Sequence, residues 1–189
     1  MQQELKEIIE LAKSGNHIAF KKIVERYQQY AFNLAFRILC DEEEAKDAVQ
    51  DSFIKIWKNL NTFNTSHKFT TWMYKIVTHT AIDQYRKNSS NKTISIYNIE
   101  FSITETLENT DQNNQDNIEM ARLISILAKG LPEKQRMVFI LRDIQGFRST
   151  EVQEILEVSE KVVKSNLYHA RKSVKGKLTK LTAYERRLK

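Results

Sequence analysis

The sequence predicts an all-α protein made of two small helical domains, an N-terminal bundle and a C-terminal helix-turn-helix domain, joined by a flexible linker. Three observations carry that expectation. Only four Gly and one Pro occur in 189 residues, so few positions suit the tight turns that a sheet-rich fold requires. Apolar residues recur at three- and four-residue spacing through both ends of the chain, the period of a helix with one buried face. That period lapses over residues 88–117, where seven of the thirteen Asn fall among Ser, Thr, Gln and acids. Such a stretch is too polar to bury itself. The expected division is therefore 1–88, 89–117 and 118–182.

Taken in order, Leu5, Ile8, Ile9 and Ala12 line one face of a first helix that Gly15 can end. Asn16 can cap the second, whose apolar series is Phe20, Ile23, Val24, Tyr27, Ala31, Leu34, Ala35 and Ile38. Asp41 and Glu44 have capping-box spacing and open a third helix to Leu60, with Ala45, Ala48, Val49, Ile56 and Leu60 inward. A polar loop, NTFNTSHKFTT, leads to a fourth helix over about 72–87, in which Trp72 reads as packing. In the central stretch, Ile94, Ile96, Tyr97, Ile99, Phe101 and Ile103 alternate imperfectly, a pattern able to lie in a groove of a partner. Helical spacing resumes with Met120, Leu123, Ile124 and Leu127 and can end at Gly130, and Pro132 suits the first position of the helix that follows, to about Asp143.

The stretch 149–172, STEVQEILEVSEKVVKSNLYHARK, holds two short helical patterns across a tight turn. In the second, Val163, Leu167, Ala170 and Val174 form a narrow apolar stripe, while Lys161, Lys164, Ser165, Tyr168 and Lys172 share another side with His169 and Arg171 at its edges. One buried stripe and one cationic, hydrogen-bonding, partly aromatic face suit the major groove of DNA, although an ordinary solvated face has the same charges. Charge distribution favours DNA. Residues 129–189 carry fifteen Lys and Arg against seven Asp and Glu, a balance of +8, whereas 91–128 carry two against six, or −4. A field concentrated at the reader helix attracts phosphate and makes binding salt-dependent.

Composition also excludes classes. Cys40, the single cysteine, has no intrachain partner and reads as packing at the end of an apolar helix. No apolar run approaches the roughly 18–20 residues needed to cross a bilayer, and the acidic start MQQELKEIIELAKSG is unlike a secretory or transit signal, so no membrane insertion and a cytoplasmic location are expected. His17, His67, His79 and His169 are scattered without metal-ligand spacing, and no Gly-rich phosphate loop occurs. No catalytic residue, metal or cofactor is expected.

These motifs, in this order, resemble the extracytoplasmic-function sigma factors of the major bacterial sigma family. AFKKIVERYQQYAFNLAFRIL and EEAKDAVQDSFIKIWKNL resemble its polymerase-binding segment, FTTWMYKIVTHTAIDQYRK its minus-ten segment, and LPEKQRMVFILRDIQGF with the stretch after it its minus-thirty-five module. The resemblance covers about residues 11–178 and implies that Asp47, Gln50, Asp51, Ile54 and Lys55 bind core RNA polymerase. It assigns minus-ten DNA to Asn64, Ser66, His67, Lys68, Thr78, His79, Asp83, Arg86 and Lys87, and minus-thirty-five DNA to Lys161, Lys164, Ser165, Tyr168, His169 and Arg171. Implied partners are core polymerase, promoter DNA and an anti-sigma factor. Departures touch the promoter sequence read: His79 and Asp83 stand where Asn is common, Asn166 and His169 where Arg is common, and Gln153 and Glu157 replace a small Ala and the turn Gly. A dimeric regulator that reads duplex DNA alone, or a helical decoy that only binds partners, would show parts of the same pattern.

Overall fold

The computed structural model describes residues 2–89, 127–128 and 130–188. Its elements are helices α1 Gln2–Lys13, α2 His17–Leu39 and α3 Glu42–Asn59, a 3-10 turn Leu60–Thr62, then α4 Phe69–Ser89, α5 Glu133–Phe139 continued by a π-helical turn Ile140–Ile144, α6 Ser149–Leu156 and α7 Glu160–Leu188. No strand occurs among the described residues. The chain divides into two compact units, Met1–Lys87 and Asn88–Lys189. After Ser89, the expected linker lies outside the described residues, as does the helix expected from Ile118 except for Leu127 and Ala128.

In the first unit, local chemistry sets the helix boundaries. Gly15 takes φ +88°, a conformation few other residues adopt, and the Asn16 side chain then accepts from Ala19 N at 3.0 Å to open α2. Asp41 caps α3 in the same way, accepting from Glu44 N at 3.0 Å. Each cap is worth about 1 kcal/mol. Between them, α2 ends on Cys40 at φ 55°, where the thiol sits half-buried over the Arg37 carbonyl.

Packing follows the predicted stripes. Ile23, Ala31, Leu34, Ala35 and Ile38 of α2 are fully buried with Ala45, Ala48 and Ile56 of α3. Ser52 joins that core because its hydroxyl donates to the Ala48 carbonyl at 2.5 Å, which removes the desolvation penalty of a bare hydroxyl. Helix α4 begins three residues earlier than its periodicity predicts, at Phe69, because that ring packs in an aromatic cluster with Tyr27, Phe63 and Trp72 at centroid distances of 5.7, 5.4 and 5.8 Å. Trp72 is half-buried in this cluster.

In the second unit, Pro132 is the residue before α5 rather than its first member, with extended ψ 141°. Met137, Val138, Ile140 and Leu141 are almost wholly buried, so this segment is surrounded on all sides. A separate apolar cluster joins Leu127, Ala128, Leu131 and Phe139 to Ala170 and Val174 of α7. Lys177, its ammonium pKa lowered by burial, donates to the Leu127 carbonyl at 2.9 Å.

The turn between α6 and α7 holds Glu157 at φ 54°, ψ 46°. Left-handed backbone costs a non-glycine residue roughly 1 kcal/mol. Glu157→Gly relieves that strain but loses about 0.5–1 kcal/mol in unfolded-state entropy, so the stability of this unit is expected to hold or rise slightly, and a thermal unfolding scan that shows a clear loss would contradict the strain assigned to the turn.

Candidate functional site

Three surfaces carry the residues singled out by sequence. The first is an open groove of about 630 Å³ between α2 and α3, walled by Phe20, Val24 and Phe32 on one side and Val49, Phe53 and Trp57 on the other. The Trp57 ring packs 4.8 Å from Phe20 and 4.9 Å from His17. Gln50 and Ile54 line its α3 wall, and Ile54 is 44% exposed beside the apolar lining. Asp47 and Asp51 are exposed on the same helix outside the groove.

Lys55 departs from that face. Its ammonium donates to Thr80 Oγ1 at 3.0 Å, tying α3 to α4, and Gln84 makes a parallel tie to the Glu44 carbonyl at 3.1 Å. The α2 wall, with Phe20, Val24, Gln28 and Phe32, was not recognised as a site by sequence reasoning, because its spacing is that of any core-facing helix. A signal was present in the half-polar composition of that wall, where Gln28 and Gln29 stand between Val24 and Phe32.

The second surface is the loop 62–68 with the α4 helix after it. Asn64, Ser66, His67 and Lys68 are exposed, and the loop is organised from within: Asn64 Oδ1 accepts from Ser66 N at 2.9 Å, and its carbonyl from His67 N at 3.0 Å. Below it, Phe63 is buried under Phe69 and Trp72, with the Lys13 ammonium 5.7 Å from its ring. The loop is thus a set of polar groups on a fixed aromatic base. Burial pushes the Tyr74 phenol up to about 12, so it stays neutral at physiological pH.

Along α4 the predicted residues do not form one site. At 1.5 Å per residue, Lys68 and Lys87 lie roughly 28 Å apart along the helix, too far to meet one nucleotide. Arg86 and Lys87 are exposed near the C-terminal end, Asp83 is exposed 3.9 Å from Arg86, and His79 is half-buried. Thr78 must be corrected. It is fully buried, its hydroxyl has no hydrogen-bond partner among the described residues, and no DNA can reach it. An unpaired buried hydroxyl costs about 1–3 kcal/mol. Thr78→Val is accordingly expected to stabilise the fold by about 1 kcal/mol and leave DNA binding unchanged. Weakened DNA binding by a folded Thr78→Val protein would restore Thr78 to the site.

The third surface is the N-terminal half of α7. Val163 and Ala170 are buried as the stripe predicts, and Lys161, Lys164, Ser165, Tyr168 and His169 are all exposed. Tyr168, 65% exposed, meets the His169 ring edge-on at 5.3 Å, which leaves two aromatic groups presented to solvent. Lys164 pairs with Glu160 at 2.7 Å, an exposed contact that phosphate can displace. Asn166 is turned back, donating to the Val162 carbonyl. Arg171 is also corrected: Nε and Nη2 each donate at 2.7 Å to one oxygen of Asp143, so its charge is already matched. Those hydrogen bonds raise its pKa further.

Among the described residues, no group of His, Cys, Asp and Glu is arranged to hold a metal, and no helix is long and apolar enough to cross a membrane.

The family model for sigma-70 region 2 matches residues 23–91, and that for sigma-70 region 4 matches residues 123–174. The ECF RNA polymerase sigma factor SigW of Bacillus subtilis (strain 168) is 30% identical over 190 residues, spanning 96% of this chain and 100% of that protein. The ECF RNA polymerase sigma-E factor of Escherichia coli (strain K12) is 28% identical over 182 residues, or 92% and 94% of the two chains. Two solved structures share the fold. CnrH in complex with the cytosolic domain of CnrY matches with a TM-score of 0.66 at 24% identity, over 91% of this chain and 95% of that one. The sigma factor RpoE in complex with the anti-sigma factor NepR from Bartonella quintana matches with a TM-score of 0.62 at 18% identity, over 85% and 96%.

Proposed function

Because the chain belongs to the ECF RNA polymerase sigma factors, we propose that it binds core RNA polymerase and directs initiation by reading the minus-ten and minus-thirty-five elements of its promoters. The observation that carries this reading is the apolar groove edged by the exposed Ile54 and Gln50. A helix docked there would bury Ile54 with the aromatic walls, while Asp47 and Asp51 set its orientation through charge. Helices of a polymerase subunit are a suitable occupant. An anti-sigma factor is a second partner, supported by the complex of the fold relative RpoE with the anti-sigma factor NepR.

Promoter reading divides between the other two surfaces. Lys161, Lys164, Ser165, Tyr168 and His169 supply donors, cations and an aromatic edge to a major groove, with α7 held by its buried stripe. At the minus-ten element, the loop residues Asn64, Ser66, His67 and Lys68 would hold an unstacked base, and Arg86 and Lys87 would meet phosphates farther along the strand. Flipping a base costs a few kcal/mol, and capture in the loop offsets that cost without ATP. The role is one of binding and positioning, with no chemical step of its own.

Nuclease protection of a promoter fragment tests this. The protein alone is expected to leave the duplex unprotected, and the protein with core polymerase to protect both elements. Protection of a palindrome by the protein alone, with no change when polymerase is added, would favour the dimeric regulator.

A further inference from the structure

Arg171 lies two helical turns beyond Lys164 on the same stripe of α7, where a free guanidinium would meet the DNA backbone. It is not free. Its Nε and Nη2 donate to both oxygens of Asp143, 28 residues earlier, each at 2.7 Å, in the planar two-bond geometry that holds a guanidinium best.

Asp143 is itself held in place. It belongs to the π-helical turn Ile140–Ile144, whose residues Ile140 and Leu141 are fully buried, and whose exit is closed by Gln145 N donating to the Ile140 carbonyl and Phe147 N to the Leu141 carbonyl, both at 2.9 Å. Arg142 adds a bond to the Phe147 carbonyl. The carboxylate, 23% exposed, is therefore fixed by the core, whereas the guanidinium it grips is 58% exposed. A pair so exposed adds at most about 1 kcal/mol to stability. Its effect on the charge of the reader face is larger, because a cation that would otherwise add one phosphate contact is neutralised.

We infer that Asp143 sets the phosphate affinity of the reader face through Arg171: by neutralising the guanidinium it withholds a sequence-independent phosphate contact. Asp143 touches no DNA and is a positioning residue. The inference rests on α7 reading the minus-thirty-five element, as proposed above. Phosphate contacts strengthen all duplexes alike, so each one added raises overall and non-specific binding, steepens its salt dependence and leaves the ratio between right and wrong sites unchanged.

The test uses holoenzyme reconstituted from core polymerase and the full chain, with promoter fragments carrying an intact or a scrambled minus-thirty-five element, over a range of salt. Asp143→Asn is expected to leave the thermal midpoint nearly unchanged, to steepen the salt dependence for both fragments by about one unit, and to tighten both alike, about three- to tenfold at low salt, with the intact-to-scrambled ratio kept. The double variant Asp143→Asn/Arg171→Gln, neutral as the wild-type pair is, is expected to restore the wild-type slope and affinity.

An unchanged slope in Asp143→Asn would overturn the inference. So would a double variant whose slope falls about one unit below wild type, because Arg171 would then already contact phosphate. A parallel loss on both fragments with a lowered thermal midpoint would reduce Asp143 to a structural residue and overturn it as well. If wild-type holoenzyme itself fails to distinguish the two fragments, the assignment of α7 falls and takes the inference with it.

Discussion

Replacing Asp51 and Ile54 together by Arg is expected to abolish stable association with core RNA polymerase while leaving the protein folded. Both side chains are exposed on α3, so the substitutions create no cavity and bury no charge, and stability should change by no more than about 0.5 kcal/mol. Binding should respond far more. Ile54 is the aliphatic side chain at the edge of the Phe20–Trp57 groove, and in that position a guanidinium would have to be desolvated against apolar walls. Loss of such an anchor costs about 3 kcal/mol or more, on the order of a hundredfold in affinity. Circular dichroism and a thermal scan establish folding, and co-purification with tagged core polymerase reads the binding. A folded double variant that still co-purifies would remove the groove from the polymerase interface.

A comparable effect is expected on the reader helix. Lys164→Ala should weaken holoenzyme binding to a promoter fragment by about 1–3 kcal/mol and relax preference at one base pair, the signature of a side chain that reads a base edge. Its present partner is Glu160, one turn away and exposed, so removal leaves no buried charge and the fold should not suffer. The salt dependence separates the alternatives: uniform weakening of every sequence with a slope reduced by about one would make Lys164 a phosphate contact instead. If neither specificity nor slope changes, Lys164 belongs to an ordinary solvated face.

The features legible in the sequence are those set by neighbours along the chain. Asn16 and Asp41 were recognisable as caps because capping depends on a donor three residues away. Val163, Ala170 and Val174 were recognisable as buried because one face of α7 packs and the other does not. Thr78 was misread for the opposite reason. Around it, Met73, Val77, Thr80, Ala81 and Ile82 are all buried, so this part of α4 has no broad polar side from which exposure can be inferred.

Contacts between distant segments were not legible. Arg171 and Asp143 each look like solvated charges until the π-helical turn brings them together, and Lys55 reads as part of an outer face until Thr80 of α4 is set beside it. The groove depends on how far α2 and α3 separate around Phe20, Phe32 and Trp57, a spacing that no periodicity encodes. The earlier start of α4 likewise comes from Phe69 joining rings contributed by α2 and the loop.

Run-off transcription tests the central claim most directly. Core RNA polymerase is incubated with a genomic promoter library, with and without the protein, and the 5′ ends of the transcripts are mapped. The account predicts a set of discrete start sites that appear only when the protein is added, share two upstream elements, and disappear with the Asp51→Arg/Ile54→Arg variant. Transcripts whose start sites are the same with and without the protein would contradict it.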